Sequence, residues 1–241
     1  MNLGIFTISI IAGLSTIVGV YIVKTFQRWT KRYTTLIIAL AAGIILGTAF
    51  FELIPESIEL AGETWPYWTV AGFALFFFLE QFMVMHACSN SEGDCDHAPS
   101  RTAVLGIGLH SLVDGLLIGL GFEVSLSVGI IATVAVIVHE LPEGIFSYTL
   151  LSHGKLDEKK TMFYSWLVAL ATPIGTLITL LIIHHISQEI VGILLAITAG
   201  NFIYISATDL IPETHKKSAK SSILLVITGI VLVLILRKIL G

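Results

Sequence analysis

The chain has 241 residues, of which 55% are hydrophobic and only 12% charged, where a soluble domain carries roughly 25%. Its mean hydropathy is +0.92 and apolar runs recur from end to end, which excludes an ordinary soluble globule and predicts an all-α integral membrane protein. The formal net charge of −4 therefore says little about partners beyond the lipid bilayer, and no nucleic-acid partner is expected.

Eight spans are predicted, at 3–23, 34–55, 66–85, 102–122, 126–150, 162–185, 189–210 and 222–240. Each is close to the ~20 residues that cross about 30 Å of hydrocarbon. Span 1 has no basic leading segment and no small-residue cleavage site, so it reads as a retained helix, not a signal peptide. Span 2 closes on "FELIPES" (51–57), and "TWPYW" (64–68) reads as an aromatic anchor at the membrane interface. Glu80 and Gln81 interrupt span 3 late, where they either line a route or bond helix to helix. The loop 86–101 gathers His86, Cys88, Asp94, Cys95, Asp96 and His97. Its C-x6-C spacing lacks the C-x2-C geometry of a structural zinc site, and a plain solvated loop fits equally well.

Spans 4 and 5 carry the chemistry. "HSLVDG" (110–115) and "HELPEG" (139–144) both fit H-x-x-x-[D/E]-G. The spacing puts His110 and Asp114 on one face of span 4, about one turn apart, and His139 and Glu143 on one face of span 5, with Glu140 three residues before Glu143. A charged group at mid-membrane depth costs about 2.5–3.5 kcal/mol on insertion scales, and no Lys or Arg lies nearby in sequence to offset it. Two imidazoles and up to three carboxylates facing one another suit a borderline divalent cation such as zinc, iron or manganese. Helix-to-helix hydrogen bonding is the alternative use of the same groups. Pro142 removes one helix bond and frees the Val138 carbonyl. Gly115 and Gly144 are expected to let these two helices approach closely.

His184 and His185 sit at the outer end of span 6 near Glu189, where they either collect metal or mark the water boundary. Span 7 closes on "TDLIPET" (208–214), which echoes the end of span 2. With spans 4 and 5 also alike, the pattern suits an inverted 3+2+3 repeat, a transporter architecture. Four connections hold Lys24, Arg28, Lys31, Arg32, Arg101, Lys155, Lys159, Lys160, Lys216, Lys217 and Lys220, which is 11 of the 13 basic residues. All fall on one side of an eight-span chain, so the positive-inside rule predicts cytoplasmic basic loops and both termini outside. Arg237 and Lys238 alone follow span 8.

These motifs, with "GIILGTAFFELIPE" in span 2 and "AGNFIYISATDLIPE" in span 7, resemble the zinc–iron permease (ZIP) family of divalent metal transporters across all eight spans. The resemblance implies one transporter domain over 1–241, with spans 1, 4, 5 and 6 moving against spans 2, 3, 7 and 8 in an elevator-like, often homodimeric carrier. It implies a metal site on His110, Asp114, His139, Glu140 and Glu143, with Ser111 where an Asn is common and Glu52 where many relatives carry His. Span 6 ("SWLVALATPIGTLITLL") offers no carboxylate to complete a second site, so one primary site is expected. Members of the family carry a variable His-rich loop at this place, so the loop bearing His86 and His97 resembles a cytosolic metal acceptor or sensor.

The expected function is import of a divalent transition metal, zinc first and also iron, manganese, cadmium or cobalt, across the cell membrane, with the metal as cargo and no resident cofactor. A potential of 100 mV favours entry of two charges by about 4.6 kcal/mol, and no G-x-x-x-x-G-K-[S/T] loop for ATP is present. An enzyme is not expected. The rival reading is an intramembrane metal-dependent hydrolase, because "HELPE" resembles the start of H-E-x-x-H. A third is a metal-sensing receptor without transport.

Overall fold

A computed structural model describes residues 2–89, 99–153, 156–214 and 219–240, and among these every regular element is helical. In chain order they are α1 (Asn2–Thr25), α2 (Gln27–Thr48), a π-turn (Ala49–Leu53), α3 (Ile54–Ala61), a 3-10 turn (Gly62–Thr64) and α4 (Trp65–Ser89). Then come α5 (Pro99–Val124), α6 (Leu126–His153), α7 (Glu158–Ile182), a 3-10 turn (Ile183–His185), α8 (Gln188–Ile205), a second π-turn (Ser206–Leu210), α9 (Ile211–Thr214) and α10 (Ala219–Leu240). The two best-formed caps follow local chemistry. Asp157 accepts the Lys160 N–H at 2.8 Å and Ser187 the Ile190 N–H at 3.3 Å, each satisfying a first-turn donor. The same Lys160 N–H, then its ammonium, hold the exposed Asp157 carboxyl below its ordinary range.

Seven described stretches are long and apolar enough to cross a membrane. The second, Arg32–Phe82, runs for 51 residues and takes in all of predicted span 2 and, as far as Phe82, span 3. It is broken at Gly62, whose φ of 59° ends α3, a conformation that a side chain would strain. The outward faces are apolar, with Val70, Phe78, Leu181, Leu224 and Ile239 all exposed, while Ser9, Thr16, Thr48, Ser111, Thr172, Thr176 and Asn201 are buried. That inversion suits a lipid solvent, in which small and hydroxyl residues pack helix on helix. The chain is a multi-pass integral membrane protein.

Two sets of helices pack internally: α1, α5, α6 and α7 on one another, and α2, α3, α4, α8 and α10 on one another, with α2 against α6 and α4 against α5 joining the sets. Glycines dictate the pairings. Between α1 and α6, Gly19 abuts the Leu141 carbonyl and Gly144 the Thr16 carbonyl. Between α5 and α7, Gly115 abuts the Thr172 carbonyl and Gly175 the Leu112 carbonyl. Gly43 with Val226 joins α2 to α10, and Gly200 with Thr69 joins α8 to α4. A Cβ at any of these positions would overlap the neighbouring backbone, so the helices touch main chain to main chain. Gly115 and Gly144 thus differ from expectation. They bring α7 and α1 to the central pair instead of drawing α5 and α6 together, because each lies one residue, about 100° around the helix, past its motif's acid.

Both π-turns directly precede an Ile-Pro-Glu, at Ile54–Glu56 and Ile211–Glu213. Pro55 has no N–H to offer the Phe51 carbonyl. Arg237 on α10 donates its Nη1–H to that carbonyl instead, while its Nε stands 3.7 Å from the buried Glu52. The basic end of span 8 is therefore built into the fold. By contrast, α6 runs unbroken through Pro142.

Replacing Gly175 by Val sets a side chain against the Leu112 backbone, and overpacking of that kind costs about 1–3 kcal/mol or more. Thermal unfolding in detergent should show a clearly lowered transition for Gly175→Val. Gly108→Ala, where no atom lies within 4 Å of the added Cβ, should match or exceed the parent.

Candidate metal centre

Helices α5 and α6 pack together, and the i, i+4 pairs meet across that contact. One ligand atom from each of His110, Asp114, His139 and Glu143 lies within 4.8 Å of all the others. Asp114 Oδ2 is the hub, 3.0 Å from His139 Nε2 and 3.3 Å from His110 Nε2, and His110 Nε2 is 3.6 Å from Glu143 Oε2. Asp114 is 0% and His139 4% exposed, whereas His110 and Glu143 are partly open, which leaves an accessible edge on their side.

The His139 ring is fixed from behind. Its Nδ1 lies 2.8 Å from the Ala135 carbonyl, an acceptor only, so Nδ1 carries the hydrogen. In the neutral ring, Nε2 then presents a lone pair to a carboxylate oxygen 3.0 Å away. Two acceptors at that distance repel unless a proton or a metal cation lies between them. No Lys or Arg among the described residues pairs with these carboxylates. A tetrahedral zinc shell with bonds of about 2.0–2.1 Å spaces its ligands about 3.3 Å apart, so the Asp114–His139–His110 corner is already near that spacing.

Glu140 is fully buried but turned elsewhere: the Thr16 hydroxyl of α1 donates to its Oε2 and the Thr172 hydroxyl of α7 to its Oε1. The close approaches at Gly144 and Gly115 put those two threonines there. Ser111, also buried, has its Oγ 2.7 Å from Glu143 Oε1 and 3.0 Å from the Ile107 carbonyl. With one O–H to give, it orients Glu143 when it turns toward it. The opposing helix set supplies the walls. Phe202 of α8 meets the His139 ring edge-on at 5.8 Å, Phe76 of α4 meets His110 at 6.4 Å, and Asn201 Nδ2 approaches His110 Nδ1 at 3.5 Å.

Other singled-out residues lie apart. Glu52 is buried on the first π-turn beside Arg237, outside the four-residue group. His185 is exposed on the 3-10 turn after α7. His97 lies outside the described residues, as do the side chains of His86 and His184. Thr16, Thr172, Phe76, Phe202 and Asn201 escaped the sequence reading. Threonine and phenylalanine are too common in apolar helices to signal a site, and only Asn201, a lone amide within "AGNFIYI", stood out in principle. For H-E-x-x-H chemistry, the fifth position holds Glu143, a member of the cluster, where a second imidazole would be needed.

Comparison with known proteins fits this geometry. The sequence pattern of the ZIP zinc transporters matches residues 1–104 and 99–237. Human zinc transporter ZIP6 is 34% identical over 110 residues, 46% of this chain but 14% of that protein, so the first relatives extend far beyond the matched stretch. Zinc transporter ZupT of Chlorobium phaeovibrioides is 24% identical over 239 residues, covering 87% of each chain, and zinc transporter ZIP9-A of Xenopus laevis 24% over 250 residues, covering 83% of this chain and 82% of that one. A match along nearly the whole length, on a helical membrane protein with a buried His/Asp/Glu cluster, establishes that the chain belongs to the ZIP zinc transporter family.

Proposed function

We propose that the protein carries a divalent transition metal, zinc first, into the cytoplasm through the His110, Asp114, His139 and Glu143 cluster, as one transporter domain spanning 1–241. The observation that carries this reading is Asp114 Oδ2, held within 3.3 Å of two imidazole Nε2 atoms, with no Lys or Arg paired to it among the described residues. Such a constellation binds a cation in place of its hydration shell and is open to exchange at the His110–Glu143 edge. The relatives ZIP6, ZupT and ZIP9-A are zinc transporters, which supports the choice of metal. Glu140, engaged by two threonines, stands behind the cluster as a reserve carboxylate. Transport does not require the hydrolase reading, and neither the site nor the relatives support it.

The chain crosses the membrane eight times in this reading, with both termini outside and the basic loops in the cytoplasm of a plasma membrane. Arg32–Phe82, at about 1.5 Å per residue, measures some 76 Å as one helix, far beyond a core of about 30 Å, and Gly62 offers the place to turn. An inverted repeat is supported by the paired glycine contacts. The α1–α6 and α5–α7 contacts correspond under exchange of spans 1 with 6 and 5 with 4, and the α2–α10 and α8–α4 contacts under exchange of 2 with 7 and 8 with 3. The π-turns before each Ile-Pro-Glu add to it. All four cluster residues belong to the α1, α5, α6, α7 set, so an elevator motion would carry the site whole past α2, α4, α8 and α10.

Radioactive zinc uptake into proteoliposomes should fall at least about tenfold in His139→Ala plus Glu143→Ala relative to the parent, with both proteins showing the same elution and unfolding profile. Equal background flux in both, with zinc bound by the parent alone, would replace transport by sensing. Metal must also displace protons from imidazole and carboxylate ligands. Initial uptake at subsaturating zinc should therefore decline as pH is lowered through about 6.5, the ordinary imidazole range. A rate that climbs steadily on acidification would contradict this.

A further inference from the structure

Asn201 has no role in the cluster as described, yet it is 0% exposed and its Oδ1 has no hydrogen-bond partner among the described residues. A buried orphan acceptor calls for a physical reason. The amide's other end, Nδ2, lies 3.5 Å from His110 Nδ1, on the opposite side of the ring from the Nε2 that faces Asp114 and Glu143.

In this arrangement the amide N–H donates to Nδ1, so the neutral ring carries its hydrogen on Nε2, directed at Asp114 Oδ2 at 3.3 Å. Metal binding through Nε2 demands the other tautomer, with the hydrogen on Nδ1. An amide turned half a revolution about Cβ–Cγ presents Oδ1 where Nδ2 now stands. It then accepts Nδ1–H, so Oδ1 gains its partner while the donor end turns to the position that Oδ1 leaves. Histidine ligands commonly hold their second nitrogen in this way, and the partner fixes both ring orientation and basicity.

We infer that Asn201 is the positioning residue for His110: its amide oxygen accepts Nδ1–H in the metal-loaded state and its amide nitrogen donates to Nδ1 in the metal-free state. An asparagine serves both tautomers, whereas a carboxylate serves only the loaded one and an alkyl group neither. Asn201 belongs to α8 and His110 to α5, so this bond crosses between the two helix sets. Relative sliding of the sets would break it and loosen His110 from the metal. The inference rests on the proposal that the cluster is the transport site.

The test is zinc affinity and flux in the purified, reconstituted protein. Asn201→Leu should raise the zinc KM about tenfold to a hundredfold, while Asn201→Asp, an acceptor of the same size, should keep KM within about threefold of the parent and lower maximal flux. Unchanged KM in Asn201→Leu, or equal weakening in both variants with intact folding, would overturn the inference. If Asn201→Leu fails to fold, solid-state NMR of the zinc-loaded parent decides. Zinc on His110 Nε2 with a hydrogen-bonded Nδ1–H is expected, and zinc on Nδ1 would refute it. Failure of the underlying site looks different, because His139→Ala would then bind zinc like the parent.

Discussion

A single carboxylate oxygen, Asp114 Oδ2, stands 3.0 and 3.3 Å from two imidazole nitrogens at the heart of a lipid-facing bundle. With the His139 hydrogen committed to the Ala135 carbonyl, the short contact to Nε2 is tolerable only when a positive particle sits between the partners. In water that demand would be trivial. Inside a bundle whose outer face is Val, Leu, Ile and Phe, it is expensive to leave unmet. Much of the surrounding architecture holds these groups in place, and no lysine or arginine among the described residues pairs with them.

Backbone contact is the means. Gly144 and Gly115 let α1 and α7 lie directly against α6 and α5, and that proximity delivers the Thr16 and Thr172 hydroxyls to Glu140. A third carboxylate is thereby kept buried without a cation and without crowding the cluster. The one described guanidinium that reaches a deeply buried carboxylate, Arg237, is spent at the far π-turn on the Phe51 carbonyl and Glu52. Pro55 has no N–H to give that carbonyl, and the guanidinium donates to it there.

The four-residue cluster was legible because an i, i+4 spacing fixes a helix face regardless of tertiary packing. Two such pairs in an apolar chain leave few places to go except toward each other. The helical membrane class was legible from hydropathy alone. What the residues could not disclose were contacts between positions far apart in the chain. Glu140 reads like any member of the motif, and only Thr16, 124 residues away, and Thr172 separate it from the cluster. The two motif glycines invited a symmetrical reading across α5 and α6, yet a turn of about 100° along the helix aims each at a different neighbour. Arg237 counted as a flanking charge, since nothing local reveals that a proline 182 positions earlier has left a carbonyl for it.

The most direct measurement is anomalous scattering at the zinc edge from crystals of the full chain grown with zinc. The strongest peak is expected between α5 and α6, with His110 Nε2, His139 Nε2, Asp114 and Glu143 as ligands and nitrogen contacts of about 2.0–2.1 Å. A strongest peak elsewhere, with the His139–Asp114 contact unchanged and no metal between them, would contradict it.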